Sequence, residues 1–153
     1  MRRIFFTLLA LIAVSLAASA QSAPAVTWQV TAKMTSATEG VAVFKARIAP
    51  GWHLYGLELP KGGPKPTVID AGASAGIEWT GALVPDRQPV KTHDKMFDID
   101  LTWWDSDIAF RRKFKVTDPA NARVAGTITY MGCNDETCLP PANVKFDKKI
   151  RIK

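Results

Sequence analysis

The sequence predicts an all-β protein with an immunoglobulin-like β-sandwich fold. Three observations carry that expectation. Apolar and polar residues alternate with a period of two along several segments after residue 20. Turn residues interrupt those segments at short intervals. No later stretch carries the 3.6-residue apolar repeat of a helix. Eight or nine short strands in this pattern suit two packed antiparallel sheets, with a closed barrel as the alternative.

The first twenty residues stand apart. Arg2 and Arg3 precede a run from Ile4 to Leu16 that is apolar except for Thr7 and Ser15, and Ala18-Ser19-Ala20 follows. This is the pattern of a secretory signal peptide cleaved after Ala20, leaving 21–153 as one domain. The apolar run is shorter than the roughly 20 residues a membrane-spanning helix needs. Export implies a periplasmic location, where disulfides form and persist.

Val26, Trp28, Val30, Ala32 and Met34 alternate with polar neighbours and define the first strand. Glu39-Gly40 reads as a turn, Val41 to Ile48 as the second strand, and Pro50-Gly51 as its end. The aromatic stretch Trp52 to Leu59 follows. Pro60 to Pro66 holds three prolines and two glycines and is irregular. Thr67 to Ile69 and Ile77 to Trp79 are short strands, and Val84 to Asp94 reads as a polar loop. Phe97 to Trp104 is a strand on which Trp103 and Trp104 face opposite ways, leaving one of them exposed. In Ile108 to Val116 one face holds Ile108, Phe110, Phe114 and Val116. Arg112 interrupts that face and snorkels at its edge. Val124 to Met131 and the alternating Val144, Phe146, Ile150 and Ile152 complete the set.

The formal net charge is +6, falling to about +4 once Arg2 and Arg3 leave with the signal peptide. The basic residues are scattered, which suits exposed strand faces and not a nucleic-acid stripe. The two histidines, His53 and His93, are far from each other and from the cysteines in sequence. They do not make a four-ligand zinc set, and no histidine follows the cysteines as a blue-copper site requires. No cofactor is expected.

The chemistry concentrates in Tyr130-Met131-Gly132-Cys133-Asn134-Asp135-Glu136-Thr137-Cys138-Leu139-Pro140-Pro141, which contains the only two cysteines. Asn134, Asp135 and Thr137 favour a turn, so the pair sits at the mouth of a tight hairpin within disulfide reach. Bridging so short a loop restrains little of the unfolded chain, roughly 2 kcal/mol in the entropy model. Spacing alone leaves two readings open: a structural bridge in an exported binding module, or a redox-active pair. Asp135, Glu136 and the apolar flanks disfavour a thiolate, unlike the electropositive setting of a Cys-x-x-Cys oxidoreductase.

Gly132-Cys133 and Cys138-Leu139-Pro140-Pro141, after a strand ending in Tyr130, resemble the N-terminal periplasmic domain of the DsbD thiol:disulfide interchange family. Pro50-Gly51-Trp52-His53-Leu54-Tyr55 resembles that domain's early aromatic strand, and His93-Asp94-Lys95-Met96-Phe97 its loop over the active site. The resemblance implies an immunoglobulin-like fold and a reversible disulfide. It implies that Cys138 attacks and Cys133 resolves, and that Phe97, with Met96, caps the sulfurs. Asp94 would hold the thiol pKa up, with His53, Tyr55 and Tyr130 as neighbours. Partners would be thioredoxin-like periplasmic proteins, as electron donor and acceptors, including those of cytochrome c maturation. The chain would act as a monomeric protein-disulfide reductase component. The family's membrane and C-terminal thioredoxin parts have no counterpart in this sequence, so either separate proteins, such as a membrane reductase, supply electrons or the chain has another job. The four-residue spacing between the cysteines is one shorter than in some members. His53 stands where the family can carry an aromatic ring such as tyrosine.

Overall fold

A computed structural model describes residues 24–152. The proposed signal peptide lies outside the described residues. Twelve strands and no helix occur among them: β1 (Val26–Met34), β2 (Glu39–Ile48), β3 (His53–Tyr55), β4 (Val68–Asp70), β5 (Ile77–Trp79), β6 (Val84–Pro85), β7 (Val90–Asp94), β8 (Ile99–Trp104), β9 (Ile108–Val116), β10 (Arg123–Tyr130), β11 (Gly132–Cys133) and β12 (Ala142–Lys149). All pairings between them are antiparallel. The fold is the all-β, immunoglobulin-like sandwich that the alternation predicts.

One sheet runs β1-β2-β9-β5, with β6 also on β9; a second runs β12-β10-β4. Their inner faces supply the core. Phe44, Phe110 and Phe114 of the first sheet and Val124, Ile128 and Phe146 of the second share one buried cluster. Phe44 meets Phe146 edge to face at 5.4 Å, an arrangement favoured by the ring quadrupoles. Arg112 keeps its stem in the sheet, donates from Nε to the Gly81 carbonyl at 2.9 Å, and sets its guanidinium 4.8 Å from the Trp79 ring centre. It is held by these contacts and is not merely snorkelling.

The third sheet, β11-β3-β8-β7, carries the cysteine hairpin. β10 leaves the second sheet at Met131 and continues as β11 in the third, where Cys133 pairs with His53 and Gly132 with Leu54. A small cluster of Tyr55, Leu101 and Cys133 forms there, distinct from the main core.

Two sequence expectations are corrected. Glu39-Gly40 lies inside β2; the turn precedes it and is held by Ser36 Oγ, which accepts from Thr38 and Glu39 amides at 3.3 and 3.0 Å. Gly40 is there because a Cβ would strike the Phe114 ring, a close approach within a strand. Val84 to Asp94 is not all loop, since it contains β6 and β7. β7 pairs only with β8 and faces solvent over most of its length, so no apolar alternation marks it. The aromatic stretch Trp52 to Leu59 supplies the short strand His53–Tyr55.

Gly126 sits in the middle strand of the second sheet, where a Cβ would overlap the Asp70 carbonyl oxygen and lie 2.9 Å from Ala71 Cα. Backbone cannot give way as a flexible side chain can. Gly126→Ala is therefore expected to cost about 3 kcal/mol, a drop in Tm on the order of 10 °C in thermal unfolding.

Candidate functional site

The hairpin closes through its own polar groups. Asn134 donates its amide to the Thr137 carbonyl at 2.9 Å, and its Oδ1 accepts from the Glu136 and Thr137 amides at 3.0 and 2.7 Å. Leu139 donates to the Gly132 carbonyl at 3.0 Å. Cys133 and Cys138 are thereby opposed, with Cα atoms 4.1 Å apart, and are joined by a disulfide. Their environments differ. Cys133 is fully buried beneath β3, whereas Cys138 is only partly covered.

What covers Cys138 is the turn between β7 and β8. Asp94, the last residue of β7, is buried, and its Oδ1 accepts from the Met96 and Phe97 amides at 2.8 and 3.1 Å. Its Oδ2 accepts from the Tyr55 hydroxyl at 3.1 Å. One carboxylate thus shapes the turn and ties it to β3. The turn ends on Asp98 with φ of 56°, a left-handed conformation that Asp tolerates better than most residues. Met96 Sδ lies 3.8 Å from Cys138 Sγ, and the Tyr55 oxygen lies 3.9 Å from the same sulfur. Phe97 packs edge-on to Tyr55 with centroids 6.5 Å apart. Tyr55 is itself fixed from below, where Thr67 Oγ1 donates to its carbonyl at 2.6 Å. Burial, then the adjacent Asp94, pushes the Tyr55 hydroxyl well above its ordinary pKa, so it stays a neutral hydrogen-bond donor.

His53 stacks on Trp103 with ring centres 4.2 Å apart and meets Tyr55 edge-on at 5.1 Å. Its buried Nε2 has no hydrogen-bond partner. With Tyr55, Asp94, Met96, Trp103 and Asp135 it lines a cleft of about 450 Å³ beside the disulfide. Burial lowers its pKa below 6.5, against the opposing pull of Asp94, Asp135 and Asp105. His93 does the opposite: hydrogen bonds to Asp100 and Asp98 raise its pKa on the exposed side of β7.

The signs of these shifts give a stability expectation. Near pH 6.5 the unfolded chain takes up a proton on His53 that the folded chain resists, so the unfolded state binds more protons and stability falls as pH drops below about 6.5. Tm measured from about pH 7 down to about 5 should decline less steeply in His53→Phe than in wild type. His93 acts with opposite sign but equally in both proteins. Equal slopes would mean that His53 is not buried in its neutral form.

The structure thus brings Cys133, Cys138, His53, Tyr55, Asp94, Met96 and Phe97 into one neighbourhood. It places Tyr130 elsewhere. The Tyr130 ring packs 5.8 Å from Trp28, and its hydroxyl donates to the Val26 carbonyl at 3.1 Å, in the main core. Met131, one of the apolar flanks of the cysteines, packs around them as expected, and so does Leu101, which nothing in the sequence pointed to. Trp104 is buried and Trp103 is half-buried against His53, so neither is the exposed ring the sequence suggested. Among the described residues no cluster of His, Cys, Asp and Glu could hold a metal.

The family model for the thiol:disulfide interchange protein DsbD, N-terminal, matches residues 18–149. The N-terminal periplasmic domain of ScsB from Proteus mirabilis superposes with a TM-score of 0.58 at 17% identity, covering 84% of this chain and 48% of that one. The chain therefore spans about half the length of that structure. The Neisseria meningitidis DsbD N-terminal domain in the reduced form gives a TM-score of 0.44 at 20% identity, over 78% of this chain and 83% of that one. No curated protein matches the chain.

Proposed function

The chain belongs to the DsbD N-terminal family of thiol:disulfide interchange proteins, and from that premise we propose that it is a periplasmic, cofactor-free dithiol/disulfide carrier. Its general chemistry is thiol–disulfide exchange. In the finer reading, a signal peptide is removed after Ala20 and residues 21–153 work as a monomeric domain. A thioredoxin-like donor, fed by a separate membrane reductase, reduces Cys133–Cys138, and the dithiol then reduces thioredoxin-like acceptors, including those of cytochrome c maturation.

One observation carries this reading: the disulfide is asymmetric and lies under a turn that a single carboxylate holds in place. Cys133 is sealed beneath β3, so a partner meets Cys138 first. The Asp94 turn lays Met96 on that sulfur. Exposed Met96 and Leu139 form an apolar rim beside it, a surface a docking partner can cover. A structural staple needs neither the lid nor the rim, and a loop this short gives a staple only about 2 kcal/mol.

Equilibration against glutathione or dithiothreitol buffers tests the reading. A carrier should have a midpoint above about −300 mV; a bond that stays oxidised below that value behaves as plain structure.

A further inference from the structure

The lid itself contains a redox-active atom. Met96 is 50% exposed, and its thioether sulfur touches Cys138 Sγ at 3.8 Å. The other described methionines are less exposed. Met34 packs against the main core. Met131 is half-buried, and its sulfur already accepts a hydrogen bond from the Lys65 amide at 3.2 Å. While Cys133 and Cys138 are bonded, no thiol competes for an oxidant. Met96 is then the most exposed methionine among the described residues.

We propose that Met96 is a sulfoxidation site, at which a peroxide or hypohalous oxidant loosens the lid from Cys138. The inference rests on the carrier reading, because it concerns access to the same disulfide. With hydrogen peroxide, the thioether sulfur gives an electron pair to one peroxide oxygen and the O–O bond breaks. The products are methionine sulfoxide and water, and sulfoxide reductases reverse the change. A flexible apolar side chain becomes a polar one. The Met96 sulfur rests on the Cys138 sulfur, which the Tyr55 hydroxyl also approaches while it donates to Asp94. The new oxygen is better solvated in water than against the disulfide, and the half-exposed side chain turns outward. Cys138 then loses the group that covers it, and incoming thiols reach the disulfide faster. Oxidative conditions would in this way open the carrier to its reductant.

The test uses the disulfide form of the full protein. It is treated with hydrogen peroxide, the oxygen gain is mapped by peptide mass, and the rate of Cys133–Cys138 reduction by dithiothreitol is measured before and after. Met96 should gain oxygen ahead of Met34 and Met131, and the rate should rise about fivefold, the size expected from losing one thioether packing contact. Met96→Leu conserves side-chain volume and cannot be oxidised there, so its rate should not respond to peroxide. Met96→Gln should be fast without treatment. Oxidation of Met34 or Met131 first, an unchanged wild-type rate after Met96 is oxidised, or an equal peroxide response in Met96→Leu would each overturn the proposal while leaving the carrier reading intact. A midpoint below about −300 mV removes the carrier reading itself, and the lid's function with it.

Discussion

A Cys133→Ala chain is expected to accumulate as a mixed disulfide with thioredoxin-like proteins, whereas Cys138→Ala should form none. The expectation follows from burial. Cys133 has no exposed surface and pairs in register with His53, so a partner sulfur has no line of approach to it. Cys138 is only partly covered, by Met96 of the turn and by the Tyr55 hydroxyl from β3. In the cycle proposed above, the Cys138 thiolate attacks one sulfur of the partner's disulfide and expels the other as a thiolate. Cys133 then attacks Cys138, closing the internal bond and releasing the partner as a dithiol. With Cys133 gone, the second step has no nucleophile on this chain. Turnover should fall on the order of a hundredfold or more in either variant, but only Cys133→Ala should show the covalent adduct on non-reducing gels of a periplasmic extract. Adducts formed by Cys138→Ala instead would reverse the two roles.

Much of this site was legible because local chemistry and global fold agree. Asn134 is a turn former and makes the turn that opposes the two sulfurs. β1, β5 and β9 carry an alternation that one buried face imposes, and their bounds are read directly from it. What the pattern could not show was anything set from one side or at long range. β7 is an edge strand with solvent on most positions, so nothing in its sequence had to alternate. Asp94 meets Tyr55 across 39 residues; the family resemblance set both at the site, but nothing in the sequence suggested that they bond to each other. Tyr130 shows the reverse error, since nearness in sequence to Cys133 stood in for nearness in space. Successive strand residues face opposite sides. Met131 faces the cysteines, so Tyr130 had to face the main core, where Trp28 and the Val26 carbonyl receive it.

Asp94→Ala should separate the lid from the fold. The carboxylate accepts three hydrogen bonds, from the Tyr55 hydroxyl and from the amides of Met96 and Phe97. Hydrogen bonds to an ionised acceptor contribute about 1.5–3 kcal/mol each. Losing the equivalent of one of them from the closed state alone would speed reduction of the disulfide by about ten- to a hundredfold, because each 1.36 kcal/mol is tenfold in rate. The main core does not include Asp94, and of the residues it anchors Tyr55 and Phe97 belong to the smaller cluster with Leu101 and Cys133, while Met96 is exposed. Thermal unfolding of Asp94→Ala should therefore move far less than that of Gly126→Ala, which strikes backbone in the middle of a sheet. Asp94→Asn keeps an oxygen that can accept the two amides but loses the charge, and its reduction rate should fall between wild type and alanine. If dithiothreitol reduces Cys133–Cys138 at the same rate in all three proteins, the turn over Cys138 is not what limits access, and the asymmetry between the two cysteines has to be explained by the hairpin alone.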